Sequence, residues 1–357
     1  MAALRAHSAG RPDKTHSHSE KEFWLCLSGG NALGAYHAGA YEALEQVGLI
    51  PSRIAGASIG AVMGALIAGN RPEDRLPRLR QFWQKAEQHG HFLPASPFVP
   101  TDLEQWLSLS QTLAHGRPGL FHPAPGALGS LSPLLPSPSH IFDTSPLRAT
   151  LEKLIDFGRL KDGPMRLLVT AVDAETGEDV VFDSHAGGVE VDHLMASTAF
   201  PIAFPPVHLG GKVYVDPGVS ANLPIMPLFN AGKPQDVFCL ALDLVSTVGK
   251  VPGSLSDAVG RAHDLVFGSQ SRHALRQVRL AQQESPGGAT VVHLAYCGRE
   301  QEIGGKSLDF SRRSIQQRWA AGSEDTAHIL SNRDRFDEGR GCRIYRAIDG
   351  EFVPLEA

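Results

Sequence analysis

The chain has 357 residues, of which 42% are hydrophobic and 20% charged, a composition typical of a soluble protein with a large core. The net charge of −5 and the scattered basic residues argue against nucleic-acid binding, which needs a concentrated basic surface. The four cysteines form no CxxC pair, so no zinc or redox motif is indicated, and a reducing, cytoplasmic compartment is expected.

The first seventy residues predict alternating strands and helices. Residues 1–20 are polar and predict a disordered tail rather than a secretory signal. Residues 22–30, "EFWLCLSGG", predict a buried strand that runs into a glycine loop, and a helix follows that ends near Gly48. The stretch 53–69, uncharged after Arg53, has about the minimum length of a membrane span, roughly 17 residues, but half of it is Gly and Ala. A short strand and a buried helix are therefore favoured, which predicts a mostly parallel sheet flanked by helices.

A compositional change marks residues 91–142, after a charged surface helix expected over 72–90. The segment is rich in Pro, Leu, Ser and Gly, and its prolines argue against regular structure. It predicts either a disordered insert or an apolar flap over a site. The flap is favoured because the segment carries large apolar side chains to bury, namely Trp106, Leu113, Leu120, Phe121 and Leu134.

The remainder of the chain continues the α/β pattern. An amphipathic helix is expected over 146–157, and "MRLLVTAVDAETGEDVVFDS" predicts a hairpin around its "ETGE" turn. A helix, a proline-rich connection, a hairpin ending in "VYVDPG" and the buried strand "DVFCLALDLV" follow. Further helices and a strand after residue 245 predict one main domain, 21–245, with a C-terminal helical and strand extension, 246–357, packed on it.

A GxSxG motif places Ser58 on the predicted strand-to-helix turn. Gly56 and Gly60 would let this turn close tightly and leave the Ser58 hydroxyl exposed, as a nucleophile requires. The N-terminus of the following helix would favour negative charge that develops beside the serine. A Gly-Ser turn that serves packing alone is the alternative.

A glycine loop, residues 28–34, lies between the first strand and helix. Such a loop can direct successive backbone N–H groups at an anion. A phosphate cradle is disfavoured because neither GKS, GKT nor GxGxxG is present there. An oxyanion hole is favoured because a nucleophile on the adjacent parallel strand would reach the same sheet edge.

Asp216 ends an apolar strand in a "DPG" turn. In isolation this pattern predicts an Asp that caps its own turn. Together with Ser58 and the glycine loop, Asp216 becomes the candidate base. A Ser–His–Asp triad remains arithmetically possible, although none of the histidines after Ser58 occupies a comparable motif; these are His185, His193, His208 and His263.

In order and spacing, these motifs resemble those of the patatin-like phospholipases. The matching segments are "LSGGNALGAYHAGAYEAL", "GASIG" and "DPG", with "STAFPIAFPPV" and "ANLP" beside them, over residues 23–244. The later "DFSRRSIQQRWAAG" is similar to an extension in a bacterial branch of the family. The resemblance implies a Ser58–Asp216 dyad and an oxyanion loop of Gly29, Gly30 and Asn31. The family often has a glycine where Asn31 stands and a cation where Leu33 stands, and both departures bear on the anion contact.

The resemblance also implies an activity. It implies a serine lipid acyl hydrolase that cleaves carboxylic esters through an acyl-Ser58 intermediate and needs no metal or cofactor. Its substrate would be a lipid or another acyl ester, and a cytoplasmic enzyme in peripheral contact with a membrane fits this reaction. Nothing in the sequence indicates an oligomeric state. Two alternatives stay open: a triad esterase or acyltransferase, and an inactive lipid-binding protein.

Overall fold

The computed structural model describes residues 21–87, 101–126, 138–231, 236–283, 287–298, 302, 304–336, 341–348 and 350–355. The predicted tail, 1–20, lies outside these ranges, as do residues 88–90 of the predicted surface helix and residues 91–100 and 127–137 of the predicted insert. The strands there are β1 (Glu22–Leu27), β2 (Arg53–Ala57), β3 (His122–Pro123), β4 (Phe142–Asp143), β5 (Arg166–Asp173), β6 (Asp179–Asp183), β7 (Val207–Leu209), β8 (Lys212–Val215), β9 (Val237–Asp243), β10 (Gly288–Ala295), β11 (Gly341–Ile348) and β12 (Glu351–Pro354). The helices are α1 (Ala35–Gln46), α2 (Ile59–Ala68), α3 (Pro72–Glu87), α4 (Thr101–His115), α5 (Ser145–Leu154), α6 (Phe157–Asp162), α7 (Val191–Ser197), α8 (Met226–Asn230), α9 (Leu255–Ala281) and α10 (Arg312–Ser331).

Within these residues a ten-stranded sheet has the order β12-β11-β10-β9-β1-β2-β5-β8-β7, with β6 also paired to β5. The strands from β11 to β5 are parallel to their neighbours. Strands β6, β7, β8 and β12 pair antiparallel at the two ends of the sheet. The mostly parallel α/β fold that the sequence predicts is confirmed.

Helices cover both faces of this sheet, which explains why its central strands are apolar throughout. Along β1, Phe23, Leu25 and Leu27 belong to a core cluster shared with α1, α2, α3 and α10. Trp24 and Cys26 point to the other face and belong to a cluster shared with α8 and α9. Alternate side chains of one strand thus enter two different cores.

The stretch 53–69, uncharged after Arg53, forms strand β2 and the ten-residue helix α2, and every residue of α2 is buried. Its lack of charge reflects burial in the protein, as the sequence predicts. None of the described helices combines the length and hydropathy needed to cross a bilayer.

The C-terminal part of the chain shares the sheet and the core with the rest. Strand β10 pairs with β9, and α10 lies directly on α1. The backbones of these helices approach closely: a methyl group at Gly39 would overlap the Trp319 carbonyl oxygen, and one at Gly322 the Tyr36 carbonyl oxygen. Two strands there, β11 and β12, were not predicted. The limits of 21–245 and 246–357 as units stay a prediction.

Helix α4 corrects one expectation for residues 91–142. Regular structure was not expected there, but no proline lies between Pro100 and Pro118, so a helix can form across that interval. The buried Arg117 side chain supports its last turns by donating to the Ser108 carbonyl and to Thr112 Oγ1. Of the side chains expected to be buried, Leu120 and Phe121 are buried, Trp106 and Leu113 are exposed, and Leu134 lies outside the described residues.

Candidate active site

The predicted site residues meet at the carboxyl edge of the parallel strands. From β1 the chain proceeds to β2 on one side, while β9 pairs with β1 on the other side. In α/β sheets, a crevice opens beyond the carboxyl ends of two adjacent strands when the chain leaves them toward opposite sides of the sheet. Ligands of α/β sheets bind in this crevice. Strand β8 runs antiparallel and overlaps only the last two residues of β5, so Asp216 arrives at the same edge from the opposite direction.

Ser58 stands on a tight turn between β2 and α2. Its φ of 53° lies in the left-handed region, an uncommon conformation for a residue other than glycine. The turn needs its flanking glycines, because a methyl group at Gly56 would lie 2.5 Å from the Ala61 nitrogen and one at Gly60 would overlap the Leu27 carbonyl oxygen. The Ser58 N–H donates to Oγ of the buried Ser197 at 2.9 Å, which holds the strained turn in place.

Asp216 is buried beside Ser58. One carboxylate oxygen accepts the Gly218 N–H at 2.7 Å, and the Ser58 side chain lies close enough to the same carboxylate to affect its pKa. Burial raises the pKa of Asp216 to about 7, although the interactions with Ser58 and Gly218 act in the opposite direction. A carboxyl group with this pKa exchanges protons near neutral pH, as a general base must. The turn-capping role expected of Asp in "DPG" is therefore present together with the contact to Ser58.

The glycine loop reaches the same place, but one predicted donor is engaged elsewhere. The Gly29 N–H donates to the Asn222 backbone carbonyl at 3.1 Å, so we correct its expected role as an oxyanion donor. Gly29 matters instead for its missing side chain: a methyl group there would lie 2.5 Å from Asn222 Oδ1 and 3.2 Å from Ser58 Cβ. In the described part of the chain, the Gly30 and Asn31 amides donate to no backbone acceptor.

Asn31 and Leu33, the two residues of this loop that depart from the family pattern, both fit their surroundings. Asn31 has a φ of 53°, a left-handed conformation that asparagine tolerates better than other residues with a side chain. Leu33 is fully buried and belongs to the core cluster that includes α1 and α2. An apolar residue at position 33 therefore contributes packing.

A cavity of about 410 Å³ contains these groups. Ser58, Asp216, Asn222 and the loop from Gly29 to Asn31 line it. Most of its remaining wall is apolar and comes from several elements, including Val62, Phe82, Leu113, Leu120, Phe121, Ile141, Phe142, Leu147, Phe200, Ile202, Phe204 and Phe267. Such a cavity suits a long apolar group with one polar function beside Ser58.

Of the four histidines considered for a triad, the structure brings His263 to the cavity. Its Nδ1 lies 3.3 Å from Oδ1 of Asp264, and its ring packs against Phe267. His193 accepts the Glu190 N–H at the start of α7, and His185 and His208 are exposed. The hydroxyl of Ser58 meets Asp216 instead.

Sequence reasoning gave no role to Ser197 or Asn222. Ser197 binds the Ser58 N–H, and Asn222 binds both the N–H and the carbonyl of Gly29. A signal was present, because Ser197 begins "STAFPIAFPPV" and Asn222 lies in "ANLP", two segments that match the family pattern. The contact between Ser58 and Ser197 joins residues 139 positions apart, and the contact between Gly29 and Asn222 joins residues 193 positions apart. A local sequence pattern does not specify contacts between residues so far apart in the chain.

Comparison with known proteins gives several relatives. YqhO of Bacillus subtilis is 29% identical over 240 residues, which are 60% of this chain and 69% of that protein. An NTE family protein of Mycobacterium bovis is 24% identical over 223 residues, but these are only 30% of its own length. The triacylglycerol lipase ptl3 of Schizosaccharomyces pombe is 40% identical over 58 residues, 16% of this chain and 12% of that lipase.

Among solved structures, VipD from Legionella pneumophila aligns with 88% of this chain and 67% of its own, at 14% identity and a TM-score of 0.42. ExoU, a type III effector protein, aligns with 88% of this chain and 53% of its own, at 15% identity and a TM-score of 0.37. A family model described as patatin phospholipase matches residues 254–340. The model of the patatin-like phospholipases matches residues 25–229, more than half of the chain, and the chain therefore belongs to the patatin-like phospholipase family.

Proposed function

We propose that this protein is a serine lipid acyl hydrolase, a carboxylic ester hydrolase with Ser58 as nucleophile and Asp216 as general base. The observation that carries the proposal is the placement of Ser58 beside the buried Asp216 carboxylate at the wall of a largely apolar cavity. Membership of the patatin-like phospholipase family supports a lipid substrate.

In the first half of the reaction, Ser58 Oγ attacks the ester carbonyl carbon while Asp216 takes the hydroxyl proton. Negative charge then develops on the carbonyl oxygen, and in this proposal the Gly30 and Asn31 N–H groups donate to it. The C–O bond to the alcohol breaks, and the alcohol leaves with the proton from Asp216. An acyl-Ser58 ester remains, with its chain in the apolar cavity.

The second half repeats this chemistry with water. Asp216, again ionised, accepts a proton from a water molecule as the water attacks the acyl carbonyl. The bond to Ser58 Oγ breaks, the proton returns to Ser58, and the fatty acid departs. A pKa of about 7 suits Asp216 for both steps, since the group has to accept and return a proton at neutral pH.

We further propose that the cavity mouth contacts a lipid surface peripherally. Four side chains line the cavity and are also exposed, and we call them the apolar rim: Leu113, Ile141, Phe200 and Ile202. The rim is continuous with the wall that would hold the acyl chain. A substrate that leaves a lipid aggregate through this rim keeps its chain in apolar surroundings along its path.

One observation keeps the triad alternative testable. His263 lines the cavity and lies within hydrogen-bond distance of Asp264, so a histidine with an acidic neighbour faces the site. The proximity of Ser58 to the Asp216 carboxylate favours the dyad. A triad predicts near-total loss of activity when His263 is replaced, whereas the dyad predicts an active His263→Ala variant.

Labelling with a fluorophosphonate probe and hydrolysis of a p-nitrophenyl acyl ester test the proposal. Wild-type protein should be labelled, and Ser58→Ala should lose both labelling and hydrolysis. Asp216→Asn should lose hydrolysis while remaining folded by circular dichroism. Ser220→Ala, an exposed serine near Asp216, serves as the matched control and should behave as wild type.

Two results would contradict this proposal. Full hydrolysis by Asp216→Asn would remove Asp216 from the mechanism. A folded wild-type protein that neither reacts with the probe nor cleaves the ester or a panel of lipids would favour the inactive lipid-binding alternative.

A further inference from the structure

Helix α9, the first helix of the C-terminal segment, presents one face to the site. His263, Phe267 and Gln270 recur at a spacing of four and three residues, which places them on the same side of a helix. His263 and Phe267 line the cavity, and a methyl group at Gly218 would lie 3.3 Å from the Phe267 ring. Gln270 lies behind them, half-buried, against the loop that carries Asp216.

Gln270 holds this loop at two points. Its Oε1 accepts the Asn222 N–H at 2.9 Å, and its Nε2 donates to the Gly218 carbonyl at 3.1 Å. One contact needs an acceptor and the other a donor, at the two ends of a single side chain. A primary amide supplies both, whereas a carboxylate offers only acceptors and an ammonium group only donors.

Each contact leads to one part of the proposed machinery. Gly218 donates its N–H to the Asp216 carboxylate at 2.7 Å, so the Gly218 contact steadies the base. Asn222 accepts the Gly29 N–H and donates from Nδ2 to the Gly29 carbonyl, so the Asn222 contact steadies the oxyanion loop. Gln270 is thus the point where both parts are tied to the same helix.

We propose that Gln270 is a positioning residue of the hydrolytic site, through which the C-terminal segment fixes the Asp216 carboxylate and the glycine loop relative to Ser58. This inference rests on the proposed function. It also gives the C-terminal segment a role in the reaction, since the side chain that makes both contacts belongs to α9; we call this pair of contacts the Gln270 clamp.

The first test is Gln270→Met, which keeps an unbranched side chain of similar length and removes both hydrogen bonds. Its kcat should fall roughly 10- to 100-fold, because displacing reacting groups by about 1 Å is enough for such a loss. KM should change little, since Gln270 does not line the cavity. Gln277→Met, an exposed glutamine on the same helix, is the matched control and should keep wild-type kinetics.

The second test is Gln270→Glu, which retains an acceptor for the Asn222 N–H but has no donor for the Gly218 carbonyl. It also places a second carboxylate beside the Asp216 loop, which disfavours ionisation of Asp216. The rising limb of its activity against pH should therefore move to higher pH than in wild type. This shift would show that position 270 lies close enough to Asp216 to affect its ionisation, while the loss of kcat in Gln270→Met reports the positioning role.

Amide hydrogen exchange provides a readout that does not depend on ester hydrolysis. In Gln270→Met the Asn222 N–H should exchange faster than in wild type and in Gln277→Met. Exchange, kcat and pH profile all equal to those of the control would overturn the inference while the proposed function stands. Faster exchange in a protein whose wild type shows no Ser58 labelling would instead leave the clamp in place and refute the hydrolase.

Discussion

The Asp216 side chain combines two opposing requirements. In the proposed reaction it must be ionised to accept the Ser58 proton, yet its burial raises its pKa to about 7. A carboxyl group with this pKa is half protonated at neutral pH, and the protonated form cannot accept the Ser58 proton. Activity and stability should therefore both depend on pH through this one group.

For activity, we predict that kcat/KM rises about tenfold per pH unit below pH 7 and levels off above it. The reason is that only ionised Asp216 can act as a base, and its ionised fraction grows with this slope. Fatty acid release from a short-chain ester between pH 5 and 9, with folding checked at each pH, measures it. A profile that is flat or falls across this interval would contradict the assignment.

For stability, we predict that Asp216→Asn is more resistant to urea than wild type, and more so at pH 8 than at pH 5. Unfolded Asp216 ionises near its ordinary pKa of 3.8, and folded Asp216 near 7, so wild type loses stability as pH rises through this window. An uncharged amide escapes this loss, which approaches about 4 kcal/mol at pH 8. A difference between variant and wild type that does not change with pH would count against the raised pKa.

At the scale of elements, the turn after β1, which carries Gly29, packs so closely against the loop after β8, which carries Asn222, that no side chain fits between them. We predict that Gly29→Ala lowers kcat about 100-fold, because its methyl group would displace Asn222 and crowd Ser58. Gly187→Ala is the matched control, since a methyl group there meets no atom within 4 Å. Ester hydrolysis and thermal unfolding of both variants distinguish loss of the site from loss of the fold. Wild-type kcat in Gly29→Ala would show that the loop is not tightly placed.

Elements whose residues are buried on both sides were predictable from the sequence. Strands β1 and β9 are continuous apolar runs because helices cover both faces of the sheet. Strand β11 carries Arg343 and Arg346 near the end of the sheet and lacks such a run, so its pattern gave no signal. Helix α4 was missed because prolines on both sides dominated the composition of its segment.

At the scale of the whole molecule, the sequence indicated the proposed reacting groups, Ser58 and Asp216, but not the residues that hold them in place. Ser58 and Asp216 stand in turns whose glycines and proline are visible locally. Gln270 belongs to a helix whose pattern shows only amphipathicity, and its contacts with Gly218 and Asn222 exist because β9 returns the chain to the centre of the sheet. Such contacts depend on topology, and so do the walls of the cavity.

Ile202, at the cavity mouth, has two features that are unfavourable for folding. It is 74% exposed, and its φ of 73° is a strained conformation for a β-branched residue. Its carbonyl accepts the Ile141 N–H at 3.0 Å, which ties two members of the apolar rim together. A strained backbone and an exposed apolar side chain at one position are explained if the rim meets a lipid surface.

We predict that Ile202→Ser lowers hydrolysis of esters in vesicles several-fold and leaves hydrolysis of a soluble short-chain ester nearly unchanged. The serine removes apolar contact with the aggregate, while Ser58 and Asp216 keep their places. Ile50→Ser is the matched control: Ile50 is also exposed, but it precedes β2 at the opposite edge of the sheet. Both substrates should be cleaved by this control at wild-type rates. Equal losses on both substrates in Ile202→Ser would indicate damage to the site, and no loss on vesicles would show that the lipid surface is met elsewhere on the molecule.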